Sequence, residues 1–157
     1  MTKEKEEKQS LLPQIEEIGK RCVCYNVKKV ARHITRYYDE ALRPSGLRAT
    51  QYAILMATKA REPISLSELS RITMTDRTTL TRNLSVLQRK GFVVVRHGAD
   101  DRRQRFVEIT EKGREVLLKA IPLWEAAQSR IEKQLGEGRI KRLLDELSEV
   151  SKIIRKR

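Results

Sequence analysis

The apolar positions of this chain fall into helical stripes at both ends and into short β-rich runs in the middle. Between residues 11 and 43, Val23, Val27, Val30, Ile34, Tyr37 and Ala41 recur at spacings of four, three, four, three and four, which predicts one long helix. It is expected to end at "RPSG" (43–46), where Pro44 disfavours helix at Arg43 and Gly46 permits a turn. A helix of roughly 30 residues spans about 45 Å, more than one small core covers, and a partner subunit is the economical cover for its ends. Residues 139–155 repeat the pattern, with Ile140, Leu143, Leu144, Leu147, Val150, Ile153 and Ile154 on one face.

The middle is more finely divided. "ATQYAILMATKA" (49–60) predicts a short apolar helix ending before "REP". "SLSE" (65–68) matches a capping box, Ser65 taking the N–H of residue 68 and Glu68 returning to the N–H of Ser65. "TMT" (73–75) supplies a turn, and Thr75 is the expected N-cap of a helix running to about Lys90, closed by Gly91 in a left-handed C-cap. "FVVVRH" (92–97) and "RFVEIT" (105–110) predict a hairpin with a long tip, "GADDRRQ" (98–104). Thr110 then caps a helix to about Leu135, with a kink expected at Pro122 and an interruption at "GEG" (136–138). Nothing repeats internally, and the first ten residues are expected to be disordered.

Charge narrows the function. The 157 residues hold 34 Lys+Arg against 21 Asp+Glu, a formal net charge of +13, and such an excess usually serves an anionic partner. The strongly apolar runs "AILMA" (53–57) and "FVVV" (92–95) are far too short to span a bilayer, and the charged "MTKEKEEKQS" does not read as a secretory signal. A soluble cytoplasmic protein, with no membrane partner, is the expectation. His33 and His97 lie in unrelated segments, and the seven glycines form no nucleotide-binding motif, so neither a catalytic triad, a metal site nor a phosphate loop is recognisable. No enzyme activity and no cofactor are expected.

The helix over 75–90 carries the functional signal. On a helical wheel Leu80, Leu84 and Leu87 form one face, while Thr75, Thr78, Arg82, Ser85 and Arg89 lie opposite, flanked by Thr79 and Thr81. A plain solvated face would hold more Glu and Lys; hydroxyls and arginines suit phosphates and base edges. A short helix, a three-residue turn and this helix have helix-turn-helix geometry, whose second helix enters the major groove. The following hairpin carries Arg96, Arg102, Arg103 and Arg105 with Asp100 and Asp101, and its tip can reach a second, narrower groove. Asp101 is expected to pair with Arg103 and orient it.

At these residues the chain resembles the MarR family of winged helix-turn-helix regulators. The resemblance covers most of residues 20–157 and rests on "GLRATQYAIL" (46–55), "LSELSRITMTDRTTLTRNLSVLQRKGFV" (66–93) and "DDRRQRFVEITEKG" (100–113). It implies a mainly α fold with a small β-hairpin wing: a single domain over 1–157, with dimerisation helices at 11–43 and 111–157 around a DNA-binding lobe at 46–110. It also implies a homodimer on a pseudo-palindromic operator in double-stranded DNA, usually a repressor released by a small ligand or by oxidation. Position by position, Thr75, Arg77, Thr78, Thr79 and Arg82 match the recognition helix, and Arg103 matches the wing-tip arginine, with Arg102 beside it and Asp101 as its partner. Where the family often has a Ser or Thr cap, this chain has Arg48.

The same resemblance suggests two switches. A small aromatic or phenolic ligand would place His33, Tyr37, Tyr38, Tyr52 and Met56 near a pocket, although tyrosine and methionine at helical spacing equally suit a core. Peroxide-sensing members carry a reactive cysteine that Cys24 matches by position, with Tyr38 matching one of its tyrosines and Lys28 replacing the other. Within one helix Cys24 and Tyr38 would lie about 21 Å apart, so contact would need the second subunit. The pair Cys22 and Cys24 reads otherwise as two small, partly buried hydrophobes. A non-specific architectural protein is the remaining alternative; four tyrosines, two phenylalanines and one tryptophan are few for base-stacking platforms.

Overall fold

The computed structural model describes residues 3–98, 101 and 103–155. Seven helices and three strands follow in the order α1 (Lys3–Arg21), α2 (Val23–Leu42), a 3-10 turn (Arg43–Ser45), α3 (Ala49–Arg61), β1 (Ile64–Ser65), α4 (Leu66–Thr73), α5 (Arg77–Arg89), β2 (Val93–His97), β3 (Arg105–Ile109), α6 (Glu111–Leu135) and α7 (Glu137–Arg155). They group into two compact units, the first ending at Tyr37 and the second beginning at Tyr38.

In the first unit two expectations need correcting. The segment expected to be disordered is helical from Lys3, as its run of Lys, Glu and Gln, all strong helix formers, permits. The single helix expected over 11–43 is interrupted at Cys22. There the side-chain amide of Asn26 donates to the carbonyls of Gly19 (3.0 Å), Lys20 (3.2 Å) and Cys22 (2.9 Å), competing with the backbone ladder. Apolar periodicity does not register such a side chain. Leu11, Leu12, Ile15, Ile18, Val23, Val27, Val30 and Ile34 all remain exposed within this unit.

In the second unit the core is built from α3, α4, α5, the sheet and α6, with Leu42, Ile54, Leu55, Ile64, Leu69, Leu87 and Val107 all at 0% exposure. Leu80, Leu84 and Leu87 are the buried face of α5, as their spacing predicts. The sheet has the order β1-β3-β2, antiparallel throughout, with Val93 opposite Ile109 and His97 opposite Arg105. The hairpin was legible; β1 was not, because two residues show no periodicity, and Ile64 and Ser65 become a strand only by pairing with Val107 and Phe106. Gly91 takes φ +74° just past α5, the left-handed position expected of it.

Two helix ends depart from expectation. Arg48 offers no Ser or Thr cap to α3, and the role passes to Asp39, whose Oδ1 accepts the Ala49 N–H at 2.7 Å, and to Gln51, whose Oε1 accepts the Arg48 N–H at 3.2 Å. The interruption expected over 136–138 is Gly136 alone, at φ +83°, and α7 resumes at Glu137 rather than at 139. No residue of α7 is buried: Leu143, Leu144, Leu147, Val150, Ile153 and Ile154 face solvent. Among the described residues, no helix is long and apolar enough to cross a membrane.

Candidate nucleic-acid interface

Helix α4 begins with one half of the expected capping box: Ser65 Oγ accepts the Glu68 N–H at 3.2 Å, while the Glu68 carboxylate meets Arg61 at 3.3 Å and Arg71 at 3.7 Å. It ends at Met74, which adopts φ 49° and sends its N–H to the Ser70 carbonyl. The turn is then held by Thr75 N–H to Ser70 O (3.1 Å), Ser70 Oγ to Thr75 O (2.7 Å) and Thr75 Oγ1 to Thr73 O (3.1 Å). Thr75 is therefore committed to the turn and does not cap α5 as expected. The cap is Asp76, whose Oδ1 accepts the Thr79 N–H at 2.9 Å. Hydrogen bonds from Thr79 hold its carboxyl below the usual aspartate range. A carboxylate suits this position because it faces the positive end of the helix.

The cap aims one face of α5 outward. Arg77, Thr78, Thr81, Arg82, Ser85 and Arg89 are exposed, while Thr79 is half-buried. No described carboxylate pairs with Arg77 or Arg82, so their charge is available to an external anion. Ser85 instead returns its hydroxyl to the Thr81 carbonyl at 2.9 Å.

At the hairpin tip, Gly98 N–H donates to Gln104 O (2.9 Å) and Gln104 N–H to Asp101 O (3.0 Å). Asp101 Oδ1 accepts the backbone N–H of Arg103 at 2.8 Å, so its expected ion pair with the guanidinium is replaced by a turn-forming bond. A local backbone donor holds the carboxylate without ordering a long side chain. Arg103 is left exposed; Arg102 lies outside the described residues. Arg77 and Arg103 line a common cleft of about 560 Å³ between α4, α5 and the hairpin, joined by Ser67, Thr81, Gln104 and Arg105. Sequence reasoning brought the helix and hairpin together only by analogy; the sheet register does so physically, since β1 leads into α4 and pairs with β3.

The candidate switch residues are divided between the two units. In the first, His33 is exposed and Tyr37 half-buried. In the second, the Tyr38 hydroxyl bonds Gln128 Oε1, Met56 is exposed, and Tyr52 stacks on Trp124 with centroids 6.5 Å apart. Burial, with the charge of Glu125, pushes the Tyr52 hydroxyl up. Cys22 and Cys24 are free thiols, the first half-buried with its Sγ accepting the Tyr25 N–H at 3.4 Å, the second exposed.

A model of the MarR family matches residues 45–104, the segment just described. Over 122 residues the chain is 30% identical to the transcriptional repressor MprA of Escherichia coli K12, covering 71% of this chain and 69% of MprA. This chain belongs to the MarR family. The crystal structure of the Mycobacterium tuberculosis transcriptional regulator MosR, in complex with DNA, is 40% identical, covers 86% of this chain and 99% of that one, and superposes with a TM-score of 0.75. The regulator SarZ of Staphylococcus epidermidis is 28% identical over 94 residues, where this MarR-family chain spans 64% of SarZ's length. These relatives are named as transcriptional regulators, not enzymes. Within the family fold, α4, the turn and α5 are the helix-turn-helix, and the β2–β3 hairpin is the wing.

Proposed function

We propose that this MarR-family protein is a homodimeric transcriptional regulator that binds a pseudo-palindromic operator in double-stranded DNA, as a repressor released by a small aromatic or phenolic ligand. The observation that carries the reading is the outward face of α5, where Arg77, Thr78 and Arg82 are exposed, with no described carboxylate pairing either arginine, beside a wing that exposes Arg103. Such a face delivers bidentate arginine and hydroxyl donors to base edges and phosphates in a major groove, while the wing arginine suits a flanking minor groove. Asp101 shapes the tip, Thr79 sits at the edge of the reading face, and Thr75 serves through the turn. MosR, similar over most of its length, was solved on DNA, and MprA is named a repressor; both support the reading.

The second copy is argued from the apolar face of α7, which this chain leaves uncovered. Two copies place two recognition helices about one helical turn of DNA apart. The dimerisation helices are then those of 11–43 and 111–157, around the lobe of 46–110. Binding to the DNA upstream of the protein's own gene, set against random duplex at fixed salt, tests the whole reading. A preference of about 10³-fold or more is expected. Equal binding to both would instead indicate a non-specific architectural protein.

One observation favours a thiol switch as a second reading. The helix interruption falls on Cys22, which leaves two free thiols at the start of α2 rather than inside an unbroken helix. Peroxide-dependent release from the operator, measured for wild type, Cys22→Ser and Cys24→Ser, separates it from ligand release. Unchanged release in both variants excludes the thiols.

A further inference from the structure

Met74 combines two unfavourable features at one position. It is 70% exposed, the highest value among the large apolar side chains of the described residues, and it holds φ 49°. Glycine is the default where the backbone turns left-handed, because a Cβ is strained there. The exposed apolar side chains of α1, α2 and α7 belong to long periodic stripes; Met74 lies in the turn between α4 and α5 and belongs to none. Between residues 45 and 110 the other large apolar side chain left exposed is Met56, at 41%.

Nothing in the turn requires this side chain. The bonds that close it come from the backbone N–H groups of Met74 and Thr75 and from the hydroxyls of Ser70 and Thr75, and glycine at 74 would leave all of them in place. A strained backbone and an exposed apolar group that the fold does not use point to a use outside the fold. Met74 lies two residues before the Asp76 cap and three before Arg77. In a helix-turn-helix the N-terminal end of the second helix goes foremost into the major groove, which puts the turn at the groove's rim. The apolar feature a base pair presents there is the thymine C5-methyl group, and a flexible thioether adapts well to cover it.

We propose that Met74 is a specificity-determining residue that packs against a thymine methyl group at the rim of each half-site. The proposal rests on the DNA-binding reading above and deepens it. The experiment measures affinity of the full chain for its operator, with each thymine replaced in turn by deoxyuridine, which lacks only the methyl group. Thermal melting of the free protein is measured alongside.

For wild type, one thymine position per half-site is expected to lose about fourfold on replacement, the scale of one buried methyl group. Met74→Gly is expected to melt at the same temperature or higher, yet to bind the operator about fourfold or more weakly and to ignore the deoxyuridine replacement. Met74→Leu should keep both affinity and methyl sensitivity. Stability and affinity moving in opposite directions is a signature a purely structural residue does not give. Met74→Gly binding as tightly as wild type, or retaining the methyl sensitivity, overturns the proposal. A wild type that fails to prefer operator over random duplex overturns the operator-binding reading and the thymine contact with it, so the two failures are distinguishable.

Discussion

A Cβ placed on Gly113 would lie 2.0 Å from the carbonyl oxygen of Phe92 and 2.7 Å from Cγ1 of Ile109. The start of α6 is pressed directly onto the backbone of Phe92, between α5 and β2, and only glycine fits. Thr110 completes the joint: its Oγ1 accepts the Gly113 N–H at 3.0 Å and donates to the Gly91 carbonyl at 2.6 Å, while its N–H reaches Phe92 O at 3.0 Å. The Thr-x-x-Gly pattern of the sequence thus ties the end of β3, the residues that follow α5 and the start of α6 together. Gly113→Ala is expected to destabilise the protein by roughly 3 kcal/mol, because the clash is with backbone that cannot rotate away. Urea unfolding measures it; a midpoint equal to wild type would show that the joint yields.

Glu62 forms a second joint, between α3, β3 and α6. Its Oε1 meets Lys59 Nζ at 3.0 Å and Arg114 Nη2 at 3.1 Å, and its Oε2 accepts the Ile109 N–H at 3.2 Å. Partial burial pushes its carboxyl up, but the bonds from Lys59, Arg114 and Ile109 outweigh that and leave it below the usual glutamate range. A depressed carboxylate stabilises the fold above its unfolded pKa, and the contribution disappears as pH falls through the folded value. Glu62→Gln should therefore cost about 1–2 kcal/mol at pH 7, with the gap to wild type closing in acid. A gap that stays constant with pH would rule out the ionised form as the source.

Arg82 and Arg103 carry different parts of the proposed recognition, and their variants should differ in kind. Arg82→Ala is expected to cost roughly 1–3 kcal/mol of operator affinity and to alter base preference at one position. Arg103→Ala should weaken binding at the flanks and reduce the salt slope by about one, without changing that preference. Titrations at several salt concentrations on operator and base-substituted duplexes distinguish them; if neither variant changes affinity, the groove assignment is wrong.

Leu147, in the uncovered apolar face of α7, reports on the second copy. Leu147→Glu puts a charge in the proposed interface and should convert a dimer to a monomer in sedimentation equilibrium, with operator affinity lost in parallel. A variant that remains dimeric would move the interface off α7.

Much of the candidate site was legible from residue spacing. Leu80, Leu84 and Leu87 had to be buried together, which turned Thr78, Arg82 and Arg89 outward, and the two β-rich runs had to close a hairpin that carries arginines. What spacing did not reveal were partners chosen by three-dimensional proximity. Thr75 and Asp76 are adjacent and both suit a helix cap; only the turn's hydrogen bonds, which commit Thr75 to its own backbone, assign the cap to Asp76.

By itself the sequence showed the order of most elements, the buried face of α5 and the basic character of its outward face, because these follow from local periodicity and net charge. Tertiary structure decided which residue finishes each element. Asp39 caps a helix ten residues away, and Ile64 becomes strand by meeting Val107. Those outcomes depend on hydrogen-bond partners brought near by the fold, which a one-dimensional pattern of apolar positions does not contain.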